Sequence, residues 1–102
     1  MSDATDFPSA SAVETVLQRA FPEALTLRVQ DDSHLHAGHA GASAGRHFSA
    51  LIVSERFATL TRVGRHRLVY DSLAQWMHRG IHALALQTLT PAEADVEANG
   101  SR

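Results

Sequence analysis

The chain has 102 residues, of which 44% are hydrophobic and 20% charged, and its formal net charge is −2. This length is typical of one domain with a modest core, and the composition argues against disorder. The net charge argues against a strongly basic nucleic-acid-binding protein. The sequence contains neither lysine nor cysteine. The chain therefore forms no disulfide and provides no thiolate, and any contact of a permanently cationic side chain with phosphate or carboxylate would be made by arginine.

A helix is predicted after a flexible tail at residues 1–8. Ser11 and Glu14 fit the capping box of a helix start, and apolar residues follow with helical spacing. The stretch "ALTLRVQ", residues 24–30, alternates apolar and polar side chains as a half-buried strand does. The His-, Gly- and Ala-rich segment 31–46 has no apolar period, and a long functional loop is predicted there.

A second strand and two helices are predicted in the middle of the chain. "HFSALIVS", residues 47–54, is an apolar run that includes β-branched residues. Ser54 can cap a short helical turn that reaches Phe57. A longer helix is predicted from about Gly64 to a glycine stop signal at Gly80.

A third strand and a last helix complete the predicted elements. Residues 82–90, "HALALQTLT", alternate with the period of a strand. Thr90 and Glu93 form a second capping box, with Pro91 at the first helical position. Residues 98–102 are predicted to form a C-terminal tail.

The sequence thus predicts a small α+β domain over residues 9–97, with the order α-β-β-α-α-β-α. The first two strands are expected to pair antiparallel. A right-handed helical crossover is expected to place the third strand parallel to the second. The result is a three-stranded mixed sheet with helices on one face.

Histidines provide the first candidate site. His34, His36 and His39 lie in the long loop, where imidazoles can converge on zinc, copper or iron. A polar loop that happens to be rich in histidine is the commoner explanation of this spacing. His82 begins the third strand, where a lone histidine is more often a hydrogen-bonded structural residue. If the third strand lies beside the second, however, His82 faces the long loop, and imidazoles from both segments can meet.

Arginines provide the second candidate site. Arg56, Arg62, Arg65 and Arg67, with His66 among them, place four of the nine arginines within a short segment. Near a helix start such a cluster can bind phosphate. The alternative is a solvated helix start whose arginines pair with nearby carboxylates.

No sequence motif supports catalysis, and the protein is predicted not to be an enzyme. "GASAG", residues 41–45, matches the G-x-S-x-G pattern, but that motif works only on a sharp strand-to-helix turn. The start "MSDATDFPSA" does not fit a signal peptide, and no apolar run approaches the ~20 residues of a transmembrane helix. A cytoplasmic protein without membrane contact is expected.

Four stretches of the chain together resemble the BolA-like family. They are "DDSHLHAGH", "HFSALIVSERF", "RHRLVYDSL" and "IHALALQTLTPAE", in that order and spacing. The resemblance extends roughly from Val13 to Glu93. It implies a fold similar to the type II KH arrangement.

The resemblance also implies a partnership with a monothiol glutaredoxin and its glutathione. In that partnership the two proteins share a [2Fe–2S] cluster, and the BolA-like chain provides imidazole ligands. The family's ligand in the I-H-A-L motif corresponds to His82. The second ligand comes from the loop between the first two strands, where His36 and His39 are both candidates and His34 is a weaker one. Without the glutaredoxin the chain is expected to bind no cofactor and to be a monomer or weak homodimer.

The resemblance leaves a second function open. Some bacterial members of the family are described as transcriptional regulators. In this chain the Arg-rich, helix-turn-helix-like segment 54–78 is the candidate DNA-binding element, although it contains no GXXG loop of the kind KH domains use on RNA.

Overall fold

The computed structural model describes residues 8–33, 46–77 and 79–100. Along the chain, the elements are α1 (Ala10–Ala20), β1 (Thr26–Asp31), β2 (Arg46–Val53), the 3₁₀ helix η1 (Glu55–Thr59), α2 (Arg62–Ser72), β3 (Ile81–Leu89) and α3 (Pro91–Gly100). This is the predicted α-β-β-α-α-β-α order, with a 3₁₀ helix in second helical place.

The predicted sheet topology is confirmed. The strand order is β1-β2-β3, with β1 antiparallel and β3 parallel to β2. At the start of β3 the parallel register shifts: Arg46 is opposite Ile81, but His47 is opposite Ala83. His82 is therefore an extra residue on β3, at a bulge in the edge strand.

The core lies between the sheet and the helices α1 and α2. Both helices, the inner face of β2 and the turn after α2 contribute fully or almost fully buried residues, including Val13, Leu17, Phe48, Ile52, Val69 and Leu73. The alternation of β2 explains its contribution, because every second side chain faces the helices. One core of this size is what a chain of about 100 residues can bury.

The helix α3 departs from the prediction that all helices lie on one face. Leu86 packs against the core and Thr88 is buried, so Gln87 between them faces the opposite side of β3. Gln87 Nε2 donates a hydrogen bond to Glu97 Oε1 of α3 at 2.9 Å. The last helix therefore contacts the face of the sheet that α1 and α2 leave open.

The start of α1 differs from its prediction by two residues. Ser9 is the N-cap, and its hydroxyl accepts a hydrogen bond from the backbone N–H of Ala12 at 3.0 Å. The capping box predicted at Ser11 and Glu14 is wrong: Ser11 is already helical, and Glu14 accepts from Gln18 at 3.2 Å. Two serines two residues apart offer the same capping chemistry, and the earlier one caps the helix.

The other two predicted caps are confirmed. The Thr90 hydroxyl accepts from the N–H of Glu93 at 3.1 Å, and the Glu93 carboxylate accepts from the N–H of Thr90 at 3.0 Å. This reciprocal pair is a complete capping box. Ser54 caps η1 by accepting from the N–H of Arg56 at 3.0 Å.

The helix predicted to reach Gly80 ends at Ser72. The Ser72 hydroxyl donates to the Val69 carbonyl at 2.7 Å, a local bond that competes with helix continuation. Turns follow, and the Trp76 carbonyl accepts from the N–H groups of Gly80 at 2.9 Å and Ile81 at 3.0 Å. Trp76 still packs against the core, so the helical spacing of apolar residues persists beyond the helix itself.

Candidate functional site

The bulge at the start of β3 presents His82 to solvent. His82 is exposed, and its ring lies 5.1 Å from the ring of His47 on β2, centroid to centroid, at an interplanar angle of 55°. A bulge typically re-aims a side chain that regular pairing would place elsewhere. In the described part of the chain, these two imidazoles are the histidine rings that lie together.

The residues before His82 hold the bulge in place. Ile81 is 1% exposed and anchors the strand in the core. The N–H of Arg46 donates to the Gly80 carbonyl at 2.8 Å, which joins the start of β2 to the turn before β3. His82 therefore follows a backbone segment that is fixed in place.

Hydrogen bonds join the end of β1 to the start of β2, on either side of segment 34–45. The N–H of Asp32 donates to the His47 carbonyl at 2.7 Å, and the N–H of His47 donates to the Ser33 hydroxyl at 3.1 Å. The Ser49 hydroxyl donates to the Asp32 carboxylate. The long segment thus leaves β1 and enters β2 beside His47, and so beside His82.

An ion pair reinforces the same strand ends. Asp31 accepts from Arg46 Nη1 at 3.1 Å and from the N–H of Ser33 at 2.8 Å. Partial burial alone raises the pKa of Asp31, but the hydrogen bonds from Ser33 and the charge of Arg46 outweigh it and lower that pKa below its ordinary value. The carboxylate stays charged at neutral pH.

The predicted loop ligands His34, His36 and His39 lie outside the described residues. The described ends of their segment nevertheless lie where the sequence-based hypothesis requires, next to the start of β3. His47 was not predicted as a site residue. The signal for it was available, because the parallel pairing predicted for the second and third strands brings their first residues together.

The side chains available as metal ligands limit which metal group can bind at this site. Among residues 8–33, 46–77 and 79–100, no group of three or more His, Cys, Asp or Glu side chains has the geometry of a metal site. A [2Fe–2S] cluster takes four ligands, usually thiolates, with histidine replacing two of them in Rieske centres. One exposed histidine beside a histidine-bearing segment would supply only part of the coordination of one iron in such a cluster.

In the structure, the predicted arginine cluster contains side chains that bond within the chain and side chains that do not. Arg65 is enclosed: its Nε donates to the Leu60 carbonyl at 3.2 Å and its Nη1 to the Thr88 carbonyl at 2.9 Å. Both Nη atoms also donate to the Glu93 carboxylate, at 2.7 and 3.1 Å. Arg65 therefore joins α2, β3 and α3.

Arg56 has a similar structural role. Its Nη1 donates to the Ala20 carbonyl at the C-terminal end of α1 at 3.0 Å, and its Nη2 donates to Glu23 at 3.0 Å. The guanidinium also lies 5.0 Å from the centroid of the Phe21 ring. A cation at a helix C-terminus is favourable for the helix dipole.

Arg62, His66 and Arg67 form the part of the cluster that makes no ion pair with a described residue. Within the described residues, neither the Arg62 nor the Arg67 side chain has a hydrogen-bonding or ion-pairing partner, and both residues are exposed. His66 is half-buried, with its ring 6.5 Å from that of Tyr70. Of the five residues predicted for this site, Arg56 and Arg65 are engaged in hydrogen bonds within the chain, which leaves these three as candidates for an external ligand.

Comparisons with known proteins agree on one family. A family model for the BolA-like protein matches residues 17–93. "Protein BOLA1, chloroplastic" of Arabidopsis thaliana is 41% identical over 90 residues, which cover 83% of this chain and 55% of that protein. "DNA-binding transcriptional regulator BolA" of Escherichia coli (strain K12) is 38% identical over 81 residues, covering 79% of this chain and 74% of that protein.

No helix in the described residues is long and apolar enough to cross a membrane. The predicted cytoplasmic location stays a prediction, since the Arabidopsis relative carries the designation chloroplastic.

Solved structures give the same result for the fold. The BolA domain of SufE1 from Arabidopsis thaliana superposes with a TM-score of 0.73 at 37% identity, covering 86% of this chain and 99% of that one. The chain spans only about half the length of the chloroplastic relative. The sheet order, the matched residues and these likenesses together show that the chain belongs to the BolA-like protein family.

Proposed function

We propose that this chain is a non-enzymatic partner of a monothiol glutaredoxin that co-ligates a [2Fe–2S] cluster for cluster trafficking or for iron and redox regulation. His82 is the first ligand, and His36 or His39 provides the second. The observation that carries the proposal is the exposed His82 on its bulge, beside the strand ends from which the histidine-bearing segment departs.

The chemistry of the chain supports a shared cluster. The chain has no cysteine, so thiolates must come from the glutaredoxin and its glutathione. Histidine ligands carry less negative charge than thiolates and raise the reduction potential of the cluster when it is bound. Imidazole must be neutral to bind metal, so acidification weakens the shared site.

His47 acts as a positioning residue in this proposal. Its ring lies against that of His82 at 5.1 Å, and its backbone N–H and C=O bond to Ser33 and Asp32. His47 thereby links the orientation of His82 to the strand ends that begin and end the long segment. A positioned ligand binds with less loss of side-chain entropy than a free one.

Replacing His82 with alanine tests the proposal. The protein is mixed with a monothiol glutaredoxin and glutathione during anaerobic cluster reconstitution, and visible absorption and circular dichroism are recorded. Wild-type protein is expected to change the spectrum of the glutaredoxin cluster, because an imidazole replaces a ligand at one iron. His82→Ala is expected to abolish that change.

His66→Ala is the matched control, since it removes an imidazole from α2 and is expected to leave the spectrum of the shared cluster unchanged. A spectrum identical to that of glutaredoxin alone with the wild-type chain would contradict the proposal. If the spectral change persists in His82→Ala, another residue is the ligand. With His82 established, His36→Ala and His39→Ala then distinguish the two candidates for the second ligand.

DNA binding is the second candidate function, favoured by the name of the Escherichia coli relative and by the unpartnered Arg62 and Arg67 in the described part of the chain. We expect Arg62→Gln/Arg67→Gln to weaken binding to duplex DNA. The slope of log affinity against log salt is expected to fall by about 0.9 for each phosphate that the variant no longer neutralises. Fluorescence anisotropy at several salt concentrations measures both quantities. An unchanged slope would exclude these arginines as phosphate ligands.

A further inference from the structure

One edge of the sheet, along β3, pairs with no other strand of the described residues. The Thr88 carbonyl accepts a hydrogen bond from the Arg65 side chain, whereas the next carbonyl, of Leu89, accepts from the backbone N–H that follows β2. Successive residues of a strand direct their backbone groups to opposite edges. The N–H and C=O groups of Leu84 and Leu86 therefore point to the free edge.

The chain itself closes both ends of this edge. At the start, the N–H of Ile81 donates to the Trp76 carbonyl at 3.0 Å, and at the far end Arg65 binds the Thr88 carbonyl at 2.9 Å. The stretch between them, residues 83–87, is named here the β3 window. It reads "ALALQ", without the charged residues or prolines that usually block an exposed edge. The β3 window is therefore available to another strand.

The β3 window is symmetric about Ala85. If a second copy of β3 runs antiparallel with its Ala85 opposite this one, Leu84 of each copy lies opposite Leu86 of the other. Each such pair exchanges two backbone hydrogen bonds, which gives four in total. Ala85 then lies in a non-hydrogen-bonded pair, where the Cα atoms approach to about 4.5 Å and only small side chains fit comfortably. Ala85 is both small and exposed.

The helix α2 runs beside the β3 window and carries opposite charges near its two ends. A depression of about 650 Å³ is lined by Asp71 together with residues 82–84. A second depression, of about 260 Å³, is lined by Arg62 together with residues 86–89. Asp71 therefore lies at the start of the window and Arg62 at its end. Both residues are exposed, and neither side chain is bonded to a described residue.

This distribution of charge favours a second copy of the chain as the occupant. The antiparallel pairing places the Arg62 end of each copy beside the Asp71 end of the other, and the twofold axis repeats the contact. A partner of uniform charge would be repelled at one of the two ends. Glu97 adds a negative charge at the Arg62 end, but from α3, which contacts the other face of the sheet. The twofold axis is perpendicular to the joined sheet, so α2 of one copy meets α2 of the other rather than α3.

We propose that the chain forms a twofold homodimer in which β3 pairs antiparallel with β3 of a second copy, centred on Ala85. The pairing joins two three-stranded sheets into one of six strands. Arg62 and Asp71 make reciprocal contacts across the axis, and the partly exposed Tyr70, which lines the larger depression, adds apolar surface. The dimer needs no iron–sulfur cluster, so its outcome is independent of the proposed function.

Charge reversal at Arg62 and Asp71 tests the proposal. Analytical ultracentrifugation of the full chain measures dimerisation from micromolar to millimolar concentration. We expect Arg62→Asp and Asp71→Arg each to weaken the homodimer by at least about tenfold, because symmetry turns each substitution into two like-charge contacts. An equimolar mixture of the two variants is expected to restore the dimer, because both contacts across the axis then join opposite charges.

Two further measurements locate the contact. Ala85→Lys is expected to abolish dimerisation, because it places two ammonium groups at the axis. The matched control Gln30→Lys adds the same charge at an exposed position of β1 and is expected to leave dimerisation unchanged. Nuclear magnetic resonance of the ¹⁵N-labelled chain is expected to show slower amide exchange at Leu84 and Leu86 as the protein concentration rises.

A chain that stays monomeric at millimolar concentration would overturn the proposal, as would a dimer with unchanged affinity in Ala85→Lys. Variants that associate no better when mixed than alone would exclude the reciprocal contact, and with it the antiparallel register. Protection of Leu84 and Leu86 only after a glutaredoxin or an oligonucleotide is added would assign the edge to that partner and reject the homodimer.

Discussion

Replacing Phe57 with alanine is expected to lower the free energy of unfolding by about 3–5 kcal/mol. Phe57 is fully buried in the short helix η1, with its ring 5.6 Å from that of Phe21, centroid to centroid. The guanidinium of Arg65 lies 5.8 Å from the same ring. The substitution would leave a cavity where η1, α1 and α2 meet, and rigid neighbours refill such a cavity only in part.

Urea denaturation followed by far-ultraviolet circular dichroism measures this loss. Val63→Ala is the matched control, because Val63 is 66% exposed and its truncation is expected to change stability by less than about 0.5 kcal/mol. A loss below about 1 kcal/mol for Phe57→Ala would show that η1 contributes little to the core. Since small domains are stable by about 5–15 kcal/mol, the expected loss is a large fraction of the total.

Local sequence signals predicted the start of a helix correctly where only one residue was available as its cap. Thr90 and Glu93 form the predicted capping box because no competing cap lies nearby. Ser11 was the wrong cap because Ser9 offers the same hydroxyl two residues earlier. The end of α2 was placed too late because the apolar spacing continues through turns that still reach the core.

The candidate sites depended more on tertiary structure. His82 was found through its motif, whereas its contact with His47 depends on strand register and on a bulge that no local pattern shows. Arg65 and Arg67 are the same residue type two positions apart. Tertiary contacts distinguish them, since the Leu60 and Thr88 carbonyls and the Glu93 carboxylate bind Arg65, whereas no described residue binds the side chain of Arg67.

That difference has a measurable consequence at Arg65. We expect Arg65→Gln to lower the free energy of unfolding by about 1–3 kcal/mol at neutral pH, because the Leu60 and Thr88 carbonyls lose a donor. Arg67→Gln is the matched control, since the same change two residues along removes no bond seen in the described residues. Chemical denaturation of both variants gives the comparison. Equal losses would mean that the Arg65 contacts contribute nothing specific.

The partner of Arg65 makes the same contact depend on pH. The hydrogen bonds from Arg65 lower the pKa of Glu93 from 4.5 to about 2. A carboxylate with a lowered pKa stabilises the fold fully above its unfolded pKa and loses that contribution as pH falls through its folded pKa. Glu93 should therefore contribute to the loss of stability between about pH 4.5 and 2. We expect Glu93→Gln and Arg65→Gln each to flatten the thermal unfolding midpoint against pH in this range, and Arg67→Gln to leave its slope unchanged. A wild-type slope in Glu93→Gln would show that other carboxylates, such as Asp31 and Glu23, carry the acid sensitivity of the fold.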